Sequence, residues 1–298
     1  MSADFYGLPT RTIGTKYLHI DYLAEAGPRI VRLVLEGSNE NLMAELPNNV
    51  VQTPFGVFHF YGGHRLWHSP EEMPRTYFPD SNGVIVEDLT DGVRLVQPTA
   101  EPHTGMRKSI EIHLHSDHAA LTLVHRLQNE GTQTVEFAPW AITQVKQGGV
   151  AILPQTVGPV DTAGLLANRH LVLWPYTSWH DPRLELNDDL ILIDAQPKLP
   201  PCKIGYLNRH GWMGYLRKGM LFVKRFEAQL DRAHPDYGCN AEIYCNDQFI
   251  ELETLGPLVK LQPGDSTTSK ETWEFYTGLG ESQTIEAVRS HLDRLKLT

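Results

Sequence analysis

Strand-length segments of alternating polarity, joined by tight turns, fix what this chain can fold into. From Met106 to Leu114 the side chains alternate, with Lys108, Ile110, Ile112 and Leu114 on one side and Arg107, Ser109, Glu111 and His113 on the other. A period of two marks a strand with one buried face. His115-Ser116-Asp117-His118 makes a tight connection, and Ala120 to Leu127 alternates again with Leu121, Leu123, His125 and Leu127 on the more apolar side. Asn129-Glu130-Gly131-Thr132 is a second hairpin turn, and Val135 to Val145 continues the meander. Leu18 to Leu23 and Ile30 to Leu35 are earlier strand candidates. Such regular spacing of strands and turns predicts an all-β sandwich or barrel. The exception is the C-terminus, where Ile285, Val288, Leu292 and Leu295 share one helical face after Gly278 and Gly280. That helix is expected to pack on the outside of the sheets.

The chain of 298 residues suits one large sandwich, so residues 1–298 are expected to form a single domain. The proline-rich stretches Pro154 to Pro159 and Pro197 to Pro201 are too short and too varied in composition for interdomain linkers. A formal net charge of −10 disfavours nucleic acid and anionic membrane surfaces as partners and is compatible with a neutral ligand. No apolar run is long enough to span a bilayer, and Met1-Ser2-Ala3-Asp4-Phe5 lacks the basic start and apolar core of a secretory signal. Cys202, Cys239 and Cys245 show no Cys-x-x-Cys spacing, which fits reduced thiols and a cytoplasmic location.

Four segments could carry chemistry. In Phe249-Ile250-Glu251-Leu252-Glu253-Thr254, read as a strand, Glu251 and Glu253 share a face. Either that face is solvated, or the pair is buried and one carboxyl is raised into the range of a general acid or base. In Tyr61-Gly62-Gly63-His64-Arg65-Leu66-Trp67-His68, the paired glycines permit unusual backbone angles or close approach. Arg65 there offers a planar fork of donors, and Trp67 a flat face on which a sugar ring can stack or which joins the core. Asn240, Glu242 and Tyr244 alternate onto one face of a strand that could neighbour the two glutamates. The fourth segment is Phe137-Ala138-Pro139-Trp140. Among the 14 histidines, His113, His115 and His118 are close enough in sequence to consider a metal, but no carboxylate follows at a recognisable spacing. No hydrolase elbow, phosphate-binding loop or dinucleotide fingerprint is present in the sequence.

The run Leu252-Glu253-Thr254, the turn Leu261-Gln262-Pro263-Gly264 and the aromatic strand Glu271-Thr272-Trp273-Glu274-Phe275-Tyr276 together resemble a family signature. It is the C-terminal signature of the galactose mutarotase-like superfamily, the aldose 1-epimerases and their relatives. The resemblance is closer to a branch distinct from the true aldose 1-epimerases. It implies a large two-sheet antiparallel β-sandwich and a catalytic base at Glu253. It also implies a sugar site near the Gly-rich segment with His64 and Arg65, and a cleft wall on the strand before the glutamate. True aldose epimerases place their general acid in a His-x-Tyr-Phe sequence where this chain has Pro139-Trp140. His64, His68 or His125 is left to supply an acid from another strand.

The expectation is a carbohydrate-binding protein with glutamate-assisted proton transfer of the epimerase or mutarotase type. A non-catalytic sugar-recognition protein is the alternative, and a metal-dependent β-barrel enzyme a more distant one. Glu253 and His64 are the expected catalytic residues, and Arg65, Trp67, His68, Trp140, Asn240, Glu242 and Glu251 the expected ligand contacts. The expected partner is a small carbohydrate, with no cofactor and no metal ligand set. Protein purified without chelator is therefore expected to carry no stoichiometric zinc, iron or manganese. Elemental analysis checks this, and a stoichiometric metal would promote the histidine clusters over the cleft.

Overall fold

The computed structural model describes residues 4–297, and within them alternation resolves into two antiparallel sheets packed face to face. At the centre of the first sheet, Gly56–Ser69, Val135–Lys146, Phe249–Leu255, Ala241–Cys245 and Cys202–Tyr206 follow one another as neighbours. The middle of the second is Met220–Phe226, Ser266–Tyr276, Ala120–Asn129 and Met106–Leu114. The meander read from the sequence is present in register: Leu123 lies opposite Ile112, and His125 opposite Ile110. The core fills the space between the sheets, where Ile110, Ile112, Leu121 and Leu123 join Leu66, Ile250 and Leu252.

The helix Ile285–Leu295 lies on the outside of the second sheet, with Val288 and Leu292 buried against Ile152, Leu192, Trp212 and Val223. Thr284 caps its start by accepting from the Ala287 amide, and Lys296 in the left-handed conformation ends it.

A polar cluster stitches the two sheets together inside this core. Lys224, fully buried, pairs with Glu271 at 3.1 Å and donates to the carbonyl oxygens of Leu252 and Ala141 at 2.9 and 3.2 Å. Glu271 also accepts from Trp273 Nε1 at 2.9 Å and from the Thr254 hydroxyl. The Lys224 charge is the chief reason that the buried Glu271 carboxyl sits below its usual range. Beside this pair, His64 Nδ1 meets Thr143 Oγ1 at 3.0 Å and His64 Nε2 meets His125 Nε2 at 2.7 Å. Burial pushes His64 well down and His125 down to about 4, so this histidine pair is neutral at physiological pH.

The strand Gly56–Ser69 breaks its own alternation. Tyr61, Gly62 and Gly63 all have positive φ, at 54°, 91° and 71°. A Cβ at Gly62 would run into the Ala44 carbonyl, and one at Gly63 into that of Ile30, so neighbouring backbones pass too close for any other residue. Phe58 and Phe60 face outward before the kink, and Arg65 and Trp67 face outward after it. The parity has shifted by one, and His64 and Leu66 face the core.

Removing one partner of the Lys224–Glu271 pair leaves an uncompensated charge in a sealed core. Lys224→Met is expected to cost about 3–5 kcal/mol of folding stability, measured by denaturant unfolding. A loss below about 1 kcal/mol would show that the pair contributes little beyond packing.

Candidate functional site

Five adjacent strands project a continuous set of side chains from the outward face of the first sheet. In register, Trp140 lies opposite Trp67, and Ile142 opposite Arg65 on one side and Glu253 on the other. Glu253 in turn faces Glu242, and Glu251 faces Tyr244. Lys203, on Cys202–Tyr206, completes the row. Of these residues, Arg65, Trp67, Trp140, Ile142, Lys203, Tyr244 and Glu251 border a cavity of about 320 Å³, whose remaining walls include Phe60, Glu71, Tyr77, Trp174, Tyr176 and Phe249, while Glu242 and Glu253 are buried and do not line it. That size is at the small end of ligand sites and suits one small molecule.

Aromatic rings dominate the walls. Trp67 and Trp140 stand edge to face at 5.3 Å, and Tyr77 packs on Trp67 at 5.0 Å. Trp174 and Tyr176 come from the segment after the two-residue edge strand Val172–Leu173 and close the opposite side.

The floor is ionic. Lys203 Nζ lies 2.8 Å from Glu242 Oε2 and 2.9 Å from Glu253 Oε2, and the same Glu253 oxygen accepts from Trp140 Nε1 at 2.7 Å. The ammonium also sits over two indoles, 4.9 Å from the Trp140 centroid and 4.5 Å from that of Trp174. Burial pulls the Lys203 pKa down, but Glu242 and Glu253 outweigh it and hold the lysine charged. Glu242 is raised well above its usual range by burial, with Glu253 and Asp236 adding to the rise and Lys203 opposing it. Asp236 is raised by burial too, and it sits in a turn where both it and Tyr237 adopt left-handed angles. Two consecutive non-glycine residues in that region store strain beside the carboxylates.

Arg65 forms the second ionic centre. One Nη donates to Glu251 Oε1 at 3.1 Å, and Gln144 Nε2 donates to that same oxygen at 2.8 Å. The guanidinium lies over Trp67 at 4.3 Å. Its Nε and its other Nη are buried without a hydrogen-bond partner among the described residues. Glu251 is pushed up to about 7, chiefly by burial and then by the Glu253 charge, with Arg65 and Lys203 pulling it back.

Of the residues singled out in the sequence, Arg65, Trp67, Trp140, Glu242, Glu251 and Glu253 share this outward face. Three do not. His64 and His68 turn into the sandwich, where His68 meets Glu101 at 3.0 Å beside Lys108. Asn240 lies just before its strand and braces the backbone, bonding the amide and carbonyl of Asn208 at 2.7 and 3.0 Å. Lys203, Trp174, Tyr176 and Tyr77 were not singled out. A lone lysine in Cys202-Lys203-Ile204-Gly205-Tyr206 was the one available signal, since a charge amid strand-forming residues needs a partner. Among the described residues, two groups could hold a metal ion, His64 with His125 and Glu271, and His115 with Asp117 and His118. Neither borders the cavity: the Lys224 ammonium already occupies Glu271 in the first, and the second is on a hairpin turn.

No family profile matches the sequence, and no curated protein matches it. Solved structures do match its fold. A candidate aldose 1-epimerase from Escherichia coli K12 superposes with a TM-score of 0.57 at 15% identity, covering 91% of this chain and 100% of that one. One from Klebsiella pneumoniae gives 0.59 at 11% identity over 98% and 84%. A candidate mutarotase from Salmonella typhimurium gives 0.56 at 12% identity over 91% of each.

Lys203→Met removes the cation that opposes the rise of Glu242. A carboxyl raised on folding contributes most when protonated, below its unfolded value of about 4.3, and that contribution is lost as pH rises through the folded value. The stability deficit of Lys203→Met relative to wild type is therefore expected to widen from acid to neutral pH. Denaturant unfolding at both extremes checks this, and an equal deficit would mark Lys203 as a packing residue.

Proposed function

We propose that this chain, which has the galactose mutarotase-like fold, binds a neutral, monosaccharide-sized carbohydrate in the aromatic cleft and exchanges protons with it through a glutamate. One observation carries the reading: flat aromatic surfaces, the Arg65–Glu251 pair and Lys203 border a single small cavity. Trp67, Trp140 and Trp174 offer flat apolar faces to the C–H side of a pyranose, and the Arg65–Glu251 pair at the cavity suits its hydroxyls.

Charge supports a neutral ligand. Arg65 and Lys203 bring two positive charges, and Glu251, Glu253, Glu242 and Asp236 can bring four negative ones. Arg65 is paired with Glu251, and Lys203 with both Glu242 and Glu253, so neither cation is left free for an anionic ligand. A phosphate or carboxylate finds no net attraction there.

Opening a pyranose requires removal of the anomeric hydroxyl proton and delivery of a proton to the ring oxygen. Glu253 stands where the resemblance puts the base, and Glu251 stands two residues earlier on the same face. Among the described residues, no histidine lines the cavity. Trp140, near where true epimerases carry their acid, instead donates to Glu253. Proton transfer is then expected to be slow on common aldoses.

Calorimetry and NMR anomer exchange on one panel of neutral sugars test this together. The expected result is sugar binding with weak exchange of free galactose and glucose. Arg65→Lys keeps the charge but removes the fork and is expected to weaken binding by about 1.5–3 kcal/mol. No binding by wild type across a broad panel would remove the carbohydrate reading.

A further inference from the structure

We infer that Glu251, rather than Glu253, is the residue that exchanges protons with the ligand, and that Glu253 acts on it through charge. This rests on the proton-transfer reading above. The two glutamates differ in access. Glu251 borders the cavity and keeps 8% of its surface exposed, whereas Glu253 is wholly buried. Glu253 lies under the Trp140 indole with one oxygen held by both Trp140 and Lys203, and its other oxygen is enclosed. A ligand in the cavity cannot reach it without displacing that indole or the ammonium.

Glu251 is arranged for traffic. Both of its neighbours, Arg65 and Gln144, bond Oε1, so the hydrogen bonds fix the carboxyl plane and leave Oε2 to the cavity. Arg65 lines the cavity too and is paired with Glu251, so a sugar hydroxyl that meets the guanidinium lies next to the carboxyl. The wall opposite carries the Lys203 ammonium.

The step balances as follows. The Glu251 carboxylate takes the proton of the anomeric hydroxyl, and the O1 electron pair forms the carbonyl. The C1–O5 bond breaks with its electrons passing to O5, which takes a proton from a cavity water. The Lys203 charge stabilises the negative charge that develops at O5 and on that water. Rotation about C1–C2 and reversal of the same transfers return both protons and give the other anomer. Glu253 takes no proton from the ligand. Burial first, and then the Glu253 charge, raise Glu251 to about 7, where a carboxyl serves as donor and acceptor alike.

The test compares wild type, Glu251→Gln and Glu253→Gln by anomer exchange across the neutral pH range, with calorimetric binding of the same sugar and 13C NMR of the glutamate carboxyls. Wild-type exchange is expected to rise with pH through a limb near 7. Glu251→Gln is expected to lose about 100-fold or more in kcat/KM while binding changes little. Glu253→Gln is expected to retain exchange with the limb moved to lower pH, because the like charge is gone. Exchange lost in Glu253→Gln and kept in Glu251→Gln overturns the assignment. The wild-type carboxyl spectrum decides independently of how either variant folds. A resonance titrating near neutrality, absent from Glu251→Gln and shifted by bound sugar, supports Glu251 as the group that meets the ligand. A neutral-range resonance indifferent to sugar overturns it. Sugar binding without any anomer exchange instead removes the proton-transfer reading, while the spectrum still shows which glutamate the sugar touches.

Discussion

The kink at Tyr61-Gly62-Gly63 is the constraint on which the site depends. Without it, the residues after the bend would continue the parity of Phe58 and Phe60, sending His64 outward and Arg65 into the core. A core that already buries Lys224 beside His125 would then receive a second cation, and the cleft would lose the Arg65 guanidinium. Gly62 and Gly63 permit the turn because the Ala44 and Ile30 carbonyls pass where a side chain would be. A local backbone event thus decides which side chains line the cleft and which hold the sheets together.

The two faces of the central strands handle charge differently. Inside the sandwich, Lys224 and Glu271 satisfy each other and nearly every hydrogen-bonding position around them is filled from strand backbone, Thr143, Thr254 or Trp273. Outside, the ionic groups are incompletely matched: carboxyls outnumber cations, and Arg65 keeps free donors. A fully satisfied network rigidifies; an unsatisfied one is a site prepared for a partner.

Much of the architecture was legible because strand alternation survives into the structure. Lys108, Ile110 and Ile112 do face the core together, and Glu251 and Glu253 do share a face with Glu242 and Tyr244 across the next strand. The site was legible only where alternation held. His64 and His68 lie on the opposite side of the sheet from Arg65 because adjacency in sequence is opposition across a strand. Asn240 looked like the first of an alternating series but lies outside the strand, where its amide serves a turn. Lys203, Trp174 and Tyr176 left almost no trace, since long-range pairing rather than local pattern brings them to the cleft.

The far wall of the cleft has its own lineage of consequences. Trp174 and Tyr176 hang from Val172–Leu173, which pairs with the sheet through two residues at its very edge. The strands beneath carry the charges and fix their spacing through long, continuous ladders. That wall can therefore change in length or side chains without disturbing the register that spaces the carboxyls and Lys203. The shape of the opening and the spacing of the charges are set by different stretches of one chain.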